Sequence, residues 1–405
     1  MSILKFPYGT GRIFSSTIYL IIFILSFLFS FGSSISNAEP VQFFGYFRSE
    51  LTASDSESTG FMILNRLRLD FETSLSRKLY LAGNFNLIFY GGDDEGNFLN
   101  NIPDSISGSV PSGLRNSFRY SFDDDMEWDN IFFQYRFERF DLTVGKQQIN
   151  FGSGYAWNPT DVFNVKSLID PGEEKSGHKA LRIDYPLSLS SRFLFLYDLE
   201  DKYDDPGVLL QYKTNLGHFD YSITFADRYL YRVDHNSFST LRYRRKMAGL
   251  SVVGEAFGLG VWFEGAYNWI DGNDNFYEFV VGWNYTWQNS FYLLVEYFHS
   301  TQGYSDSGNY DLNGWMRFIS GEISSLSRDN LYLYCSYPWN DLTTVGLAVA
   351  SSISDGSMVL IPTVEYSLFN DIYLEFFGAV NTGDEGTLFS RELGNGVLAK
   401  LTWYF

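Results

Sequence analysis

The sequence predicts an all-β chain folded as a single transmembrane antiparallel β-barrel of about eighteen strands, with sixteen as the alternative, behind an N-terminal signal peptide. Three observations carry this. Side-chain character alternates with period two from Val41 to Phe405; the breaks between alternating runs are short and long by turns; and beyond Ala38 no apolar run is long enough to cross a bilayer as a helix.

The N-terminus reads as an export segment. Lys5 and Arg12 supply a positive start, Ile18 to Phe31 is almost wholly apolar, and Ser36-Asn37-Ala38 places small residues where a signal peptidase reads. Residues 1–38 are thus expected to be a cleaved signal peptide and residues 39–405 one barrel, a mature chain of 367 residues (405 − 38). Both charges lost are positive, so the net charge moves from −19 to −21. So acidic a balance argues against nucleic acid as a partner, since binding that polyanion needs clustered Lys and Arg. Cys335 is the sole cysteine, so no internal disulfide staples this exported fold. With 19% aromatic residues and no helical span, a closed barrel is the one architecture that satisfies every backbone polar group in lipid.

The strands show the alternation directly. Phe61, Ile63, Asn65, Leu67, Leu69 and Phe71 share one face of a strand, and Arg66, Arg68, Asp70 and Glu72 the other. Short turns at Ser76-Arg77-Lys78, Glu138-Arg139-Phe140, Leu216-Gly217-His218, Gln288-Asn289-Ser290 and Phe369-Asn370-Asp371 alternate with long polar stretches: Gly91 to Glu127, Ile149 to Gly177 and Thr301 to Asp329. In outer-membrane barrels short turns are periplasmic and long loops external. Pro362 falls inside a predicted strand and implies a bulge or a displaced boundary. Gly314 to Ile323 reads either as one more short strand or as loop. The last strand places Val397, Ala399, Leu401, Trp403 and Phe405 on one face, with Lys400, Thr402 and Tyr404 between them. A terminal aromatic in that setting implies recognition of Phe405 by the barrel assembly machinery, in the outer membrane of a Gram-negative bacterium. Lipid and lipopolysaccharide would be the neighbours there.

Positions opposite the oil-facing set are expected to line a lumen. The basic ones are Arg48, Arg66, Arg68, Arg136, Arg182, Arg192 and Lys213; the acidic ones, in the second half of the chain, are Glu255, Glu264, Glu278, Glu296, Glu365 and Glu375, with Lys400 nearly alone among them. Consecutive strands are neighbours, so this segregation predicts an Arg-rich wall facing an acidic wall, and a field across the pore. About eighteen strands enclose more space than side chains alone fill.

The third long connection, 149–177, is dense in glycine and turns at Asn158-Pro159, a composition suited to an ordered inward loop. Lys146, Gln148, Trp157, Asp161, Lys166, Asp170, Glu173, Glu174 and Lys175 are the candidate constriction residues. The segment "GKQQINFGSGYAWNPTDVFN" resembles the strand-plus-loop signature of outer-membrane barrels similar to the alginate-export family. Over these twenty or so residues the resemblance implies a monomeric pore of about eighteen strands for a hydrophilic, saccharide-like solute; it departs at Lys146, where that group has Arg, and in its acidic second wall.

Catalysis finds no support. His178, His218, His235 and His299 are scattered, no pair has metal-ligand spacing, and Gly258-Leu259-Gly260 precedes a strand rather than the helix a phosphate loop needs. No metal and no cofactor is expected. The readings that remain are a channel for hydrophilic solutes, a surface-interaction or structural barrel closed by its 149–177 loop, and, third, an outer-membrane enzyme.

Overall fold

The computed structural model describes residues 39–55, 60–199, 206–234 and 239–405; the expected export segment and its cleavage position lie outside them. Eighteen strands form one sheet. They are β1 (Gln42–Ser54), β2 (Gly60–Ser76), β3 (Leu79–Gly92), β4 (Asp125–Arg136), β5 (Asp141–Gln148) and β6 (Gly177–Pro186). Next come β7 (Ser191–Asp198), β8 (Gly207–Leu216), β9 (Phe219–Asp234), β10 (Ser239–Ala256), β11 (Leu259–Ile270) and β12 (Phe276–Thr286). The last six are β13 (Tyr292–Ser300), β14 (Asp329–Asn340), β15 (Thr343–Ser352), β16 (Met358–Phe369), β17 (Ile372–Asn381) and β18 (Gly396–Tyr404). Each strand pairs antiparallel with the next, and β1 pairs with β18 from Tyr46↔Tyr404 to Ser54↔Gly396, which closes the cylinder.

Cross-strand partners lie on the same face, so register fixes which residues point inward. Arg48 opposes Arg66, Tyr46 opposes Arg68 and Glu375 opposes Lys400 on the inner face; Phe47 opposes Leu67 on the outer one. The exterior is apolar, with Leu51, Leu69, Leu250, Leu347 and Leu401 all exposed. Aromatic girdles border it: Trp287, Trp339, Phe369 and Trp403 toward the short turns, Tyr267, Trp269 and Tyr277 toward the long loops. Such a surface is stable against hydrocarbon and costly against water.

Two local expectations are corrected. Gly314 to Ile323 is not strand: Leu312–Ile319 forms an α-helix, started by Asp311, whose side chain accepts from the Gly314 N–H at 2.7 Å. Trp315 and Ile319, four residues apart, are buried, a helical spacing that outweighs any period of two. Pro362 causes no bulge, since Leu360↔Val380 and Thr363↔Phe377 keep one register across it. Its ring faces Gly378, where a Cβ would come within 3.0 Å of the proline Cγ; a glycine neighbour absorbs the proline.

The core lies inside the cylinder. Inward Val280, Leu294, Phe298, Tyr332, Ala350 and Ile361 of β12–β16 pack against loop residues Leu99, Ile102, Trp157, Trp315 and Leu326. The loops also clasp one another over the mouth: Glu392 accepts from Ser105 N and Oγ at 3.1 and 3.0 Å, and Asp355 accepts from Tyr310 Oη at 2.9 Å and Leu388 N at 3.0 Å.

Candidate functional site

A loop that folds inward carries backbone N–H groups away from water, and each needs an acceptor. Two glutamates provide most of them. Glu264 on β11 accepts from Ser153 N at 2.5 Å, Gly154 N at 3.2 Å, and Thr160 N and Oγ1 at 2.7 and 2.8 Å. Glu296 on β13 accepts from Tyr155 N, Ala156 N and Trp157 N at 2.6, 2.8 and 3.1 Å, and from Trp262 Nε1 at 2.7 Å. The backbone can run this close because Gly154 lacks a side chain, a Cβ there falling 1.8 Å from the Trp157 carbonyl. On the wall, Gly249 leaves room that Thr160 fills.

Residues 149–164 are tied together by hydrogen bonds on this platform. Asp161 accepts from Phe163 N, Asn164 N and Asn164 Nδ2 at 3.0, 3.1 and 2.9 Å, and Asn164 Nδ2 donates to the Ile149 carbonyl at 2.6 Å. Burial pushes the Asp161 carboxyl above the ordinary aspartate range, against the pull of those donors. Arg228 of β9 donates to the Val162 carbonyl. Trp157 stacks on Phe298 with ring centres 5.1 Å apart.

The remainder, 165–176, crosses to the opposite wall. Lys400 of β18 meets Asp170 at 2.5 Å, and Arg68 of β2 pairs with both Asp70 and Glu174. Gln148, the last residue of β5, donates to Glu174 at 2.8 Å. Lys166 turns back to the Gly154 and Tyr155 carbonyls at 2.5 and 2.9 Å. Glu173 is half-buried, and its N–H donates to the Asp170 carbonyl at 3.1 Å.

The expected acidic wall is therefore corrected in its upper part. Glu264, Glu278 and Glu296 point inward but are 0%, 4% and 0% exposed, because the loop and its packing cover them. Glu255 is exposed near the short turn, and Glu365 faces Glu375 directly. Trp157 and Asp161 are likewise buried in the loop's own packing. Lys146 is neither in the loop nor inward: it shares a face with outward Val144, opposes Ile131 and Lys179, and donates to the Trp128 carbonyl at 2.7 Å. Gly145 before it has φ 134°, yet the ladders on both sides keep their register through it.

The basic positions fall on the inner face. Arg48 donates to Thr402 Oγ1 at 3.0 Å and Arg182 chelates Asp184 at 2.7 and 2.9 Å. Arg192 opposes Lys213, and Arg136 sits 3.7 Å from Asp141 by a short turn, 69% exposed. A cavity of about 410 Å³ opens on this side, among Arg68, Asp70, Glu72, Gln134, Arg182 and Asp184. Another, of about 310 Å³, lies by Trp157, Phe163, Arg228, Arg245, Phe276 and Glu278. Arg228 and Arg245 escaped the sequence reading, as did the apolar filling. Runs such as Tyr292-Leu293-Leu294-Val295, apolar on both faces, are the signal of strands covered on both sides.

No family model matches the chain. No curated protein matches it either. Among solved structures, the chain is similar to OmpT, an outer membrane protein of Vibrio cholerae in its trimer form, at 10% identity and a TM-score of 0.45, over 91% of this chain and 100% of that one. It is also similar to a mutant Rh. blastica porin (13% identity, TM-score 0.44, 90% and 100% covered) and to Salmonella typhi OmpF in complex with daunomycin (10%, 0.46, 90% and 97%).

Proposed function

We propose that this chain is an outer-membrane channel of a Gram-negative bacterium that passes small hydrophilic solutes, saccharides among them, along one polar side of a lumen narrowed by the 149–177 loop. One observation carries the reading: inward Arg48, Glu50, Arg66, Arg68, Asp70, Glu72, Arg182, Asp184 and Glu375 of β1, β2, β6 and β17 are partly open to water, whereas toward the long loops inward Val280, Phe298, Tyr332, Ala350 and Ile361 of β12–β16 are buried beneath loops. In this reading Arg48, Arg66, Arg68, Arg136, Arg182, Arg192 and Lys213, with Glu255, Glu365 and Glu375, line the path. Asp170, Glu173 and Glu174 stand where it is tightest. Charged, confined walls of this kind pass hydrated solutes and hold back lipid.

Planar-bilayer recording tests it. Discrete conductance steps are expected, and replacing Arg66 and Arg68 with Ala should move selectivity toward cations, because two positive charges leave the path. A purified, folded barrel that never conducts removes the proposal.

The second reading, a closed barrel with a surface-interaction or structural role, draws support from the loop reaching both walls through Glu264, Glu296, Arg68 and Lys400. Deleting residues 165–175 separates the two. A silent barrel would begin to conduct, whereas a channel would only change its step size.

A further inference from the structure

The outer face of β10 carries three cations toward the long loops, at a level where β11 and β12 present rings. Met247, Gly249 and Ser251 point inward, Ser251 meeting loop Ser153 at 2.7 Å, so Arg242, Arg244 and Lys246 point outward. Toward the short turn the same face continues as Ala248, Leu250 and Val252, with Leu250 42% exposed. Lys246 lies directly opposite Trp269 of the long-loop girdle. The three cations thus start at the edge of the apolar belt and climb away from it, at alternate positions roughly 6.6 Å apart along the strand.

Their geometry is fixed. Asp227 takes Arg244 with two contacts of 2.7 Å, and the Tyr229 ring lies beneath the Arg242 guanidinium at 4.5 Å. Outward neighbours on β11 and β12 at this level, Tyr267, Trp269, Tyr277 and Phe279, are uncharged, and Asp271, just past the end of β11, stands opposite Arg244, so that Asp227 and Asp271 both attend Arg244 while Arg242 and Lys246 carry the excess positive charge. Lys146 and Lys179, opposite each other on the outer face of β5–β6, are separated from β9 by two strands. A chain of net charge −19 has gathered cations on one sector of its lipid border, against its own composition.

We propose that this sector binds the phosphate groups of a phosphorylated glycolipid in the membrane leaflet that faces the long loops. The chemistry is charge-assisted pairing of guanidinium and ammonium with phosphate oxygens, while Trp269 and Leu250 lie against the acyl chains. The inference rests on membrane placement alone and does not require that the lumen conduct.

Native mass spectrometry of the full-length protein in neutral detergent tests it, with bis-phosphorylated lipid A, its dephosphorylated form and phosphatidylcholine as probes. The unmodified protein should retain bis-phosphorylated lipid A and release the other two. R242A/K246A should weaken that binding roughly 30-fold, R242K/K246R should restore it, and R77A/K78A at a short turn should leave it unchanged. Heat-modifiable gel mobility reports folding of each variant independently. Equal binding by folded R242A/K246A, equal binding of dephosphorylated lipid, or an equal loss in R77A/K78A overturns the proposal. A protein that retains the lipid but never conducts would sink the channel and leave this site standing.

Discussion

Glu264 and Glu296 do for the loop what a neighbouring strand does for a sheet: each lends its oxygens to N–H groups that have left water. Removing Glu296 strands the N–H groups of Tyr155, Ala156 and Trp157 and the Trp262 indole, all in buried or half-buried places. Glu296→Ala should therefore cost roughly 3–5 kcal/mol in denaturant unfolding from detergent; Glu296→Gln, which keeps acceptor capacity on one oxygen, should cost less. An unchanged unfolding midpoint for Glu296→Ala would mean the loop is anchored elsewhere. At the mouth, burial alone would raise the Glu392 carboxyl, but donors from Gly386, Ser105 and Ser390 together hold it below the ordinary glutamate value. A depressed folded-state value means that its stabilising contribution is complete above the ordinary value and fades as pH falls through the folded one. Acid should therefore loosen the Ser105–Glu392 clasp. Faster protease cleavage within residues 98–118 in acid than at neutrality, reproduced at neutral pH by Glu392→Gln, would report it; equal cleavage rates would contradict it.

At the level of elements, the loop divides into an anchored half and a strapped half. The strap hangs on ion pairs of Lys400 with Asp170 and of Arg68 with Glu174, in each of which the cation is largely covered and the carboxylate is open to water on one side, and pairs reached by salt in this way weaken as it rises. Lys400→Ala should enlarge the single-channel step at low salt, with the difference from the unmodified protein shrinking as salt rises; an increment independent of salt would place the constriction elsewhere. The strands and their short turns were legible in the sequence because period two and turn chemistry are local. The helix at Leu312–Ile319 was not, for eight residues between polar stretches carry too short a pattern to distinguish two periods. Nor was the burial of Glu264, Glu278 and Glu296. Alternation assigns a face, inward, but says nothing of what fills the space beyond it, and that depends on a loop a hundred residues away. Lys146 failed for a different reason: β5 runs on to Gln148, so Lys146 is still strand, and alternation puts it on the outer face with Val144.

For the molecule as a whole, the consequence of closure lies in the seam between β1 and β18. There Gly45 and Phe405 exchange both backbone hydrogen bonds, at 2.9 and 3.0 Å, next to the Tyr46 and Tyr404 rings, which meet edge to face. Removing Trp403 to Phe405 should leave the short-turn end of β1 unzipped, lowering refolding yield in detergent and abolishing the heat-modifiable gel shift; a full yield would show that the remaining pairs suffice. The contact that makes this sheet a cylinder joins residues more than three hundred positions apart. No hairpin formed along the way can complete it, so until that meeting the growing sheet exposes two raw margins at once, each able to recruit a foreign strand. Its safety during assembly is thus a question of timing: how long the two margins wait before they find each other.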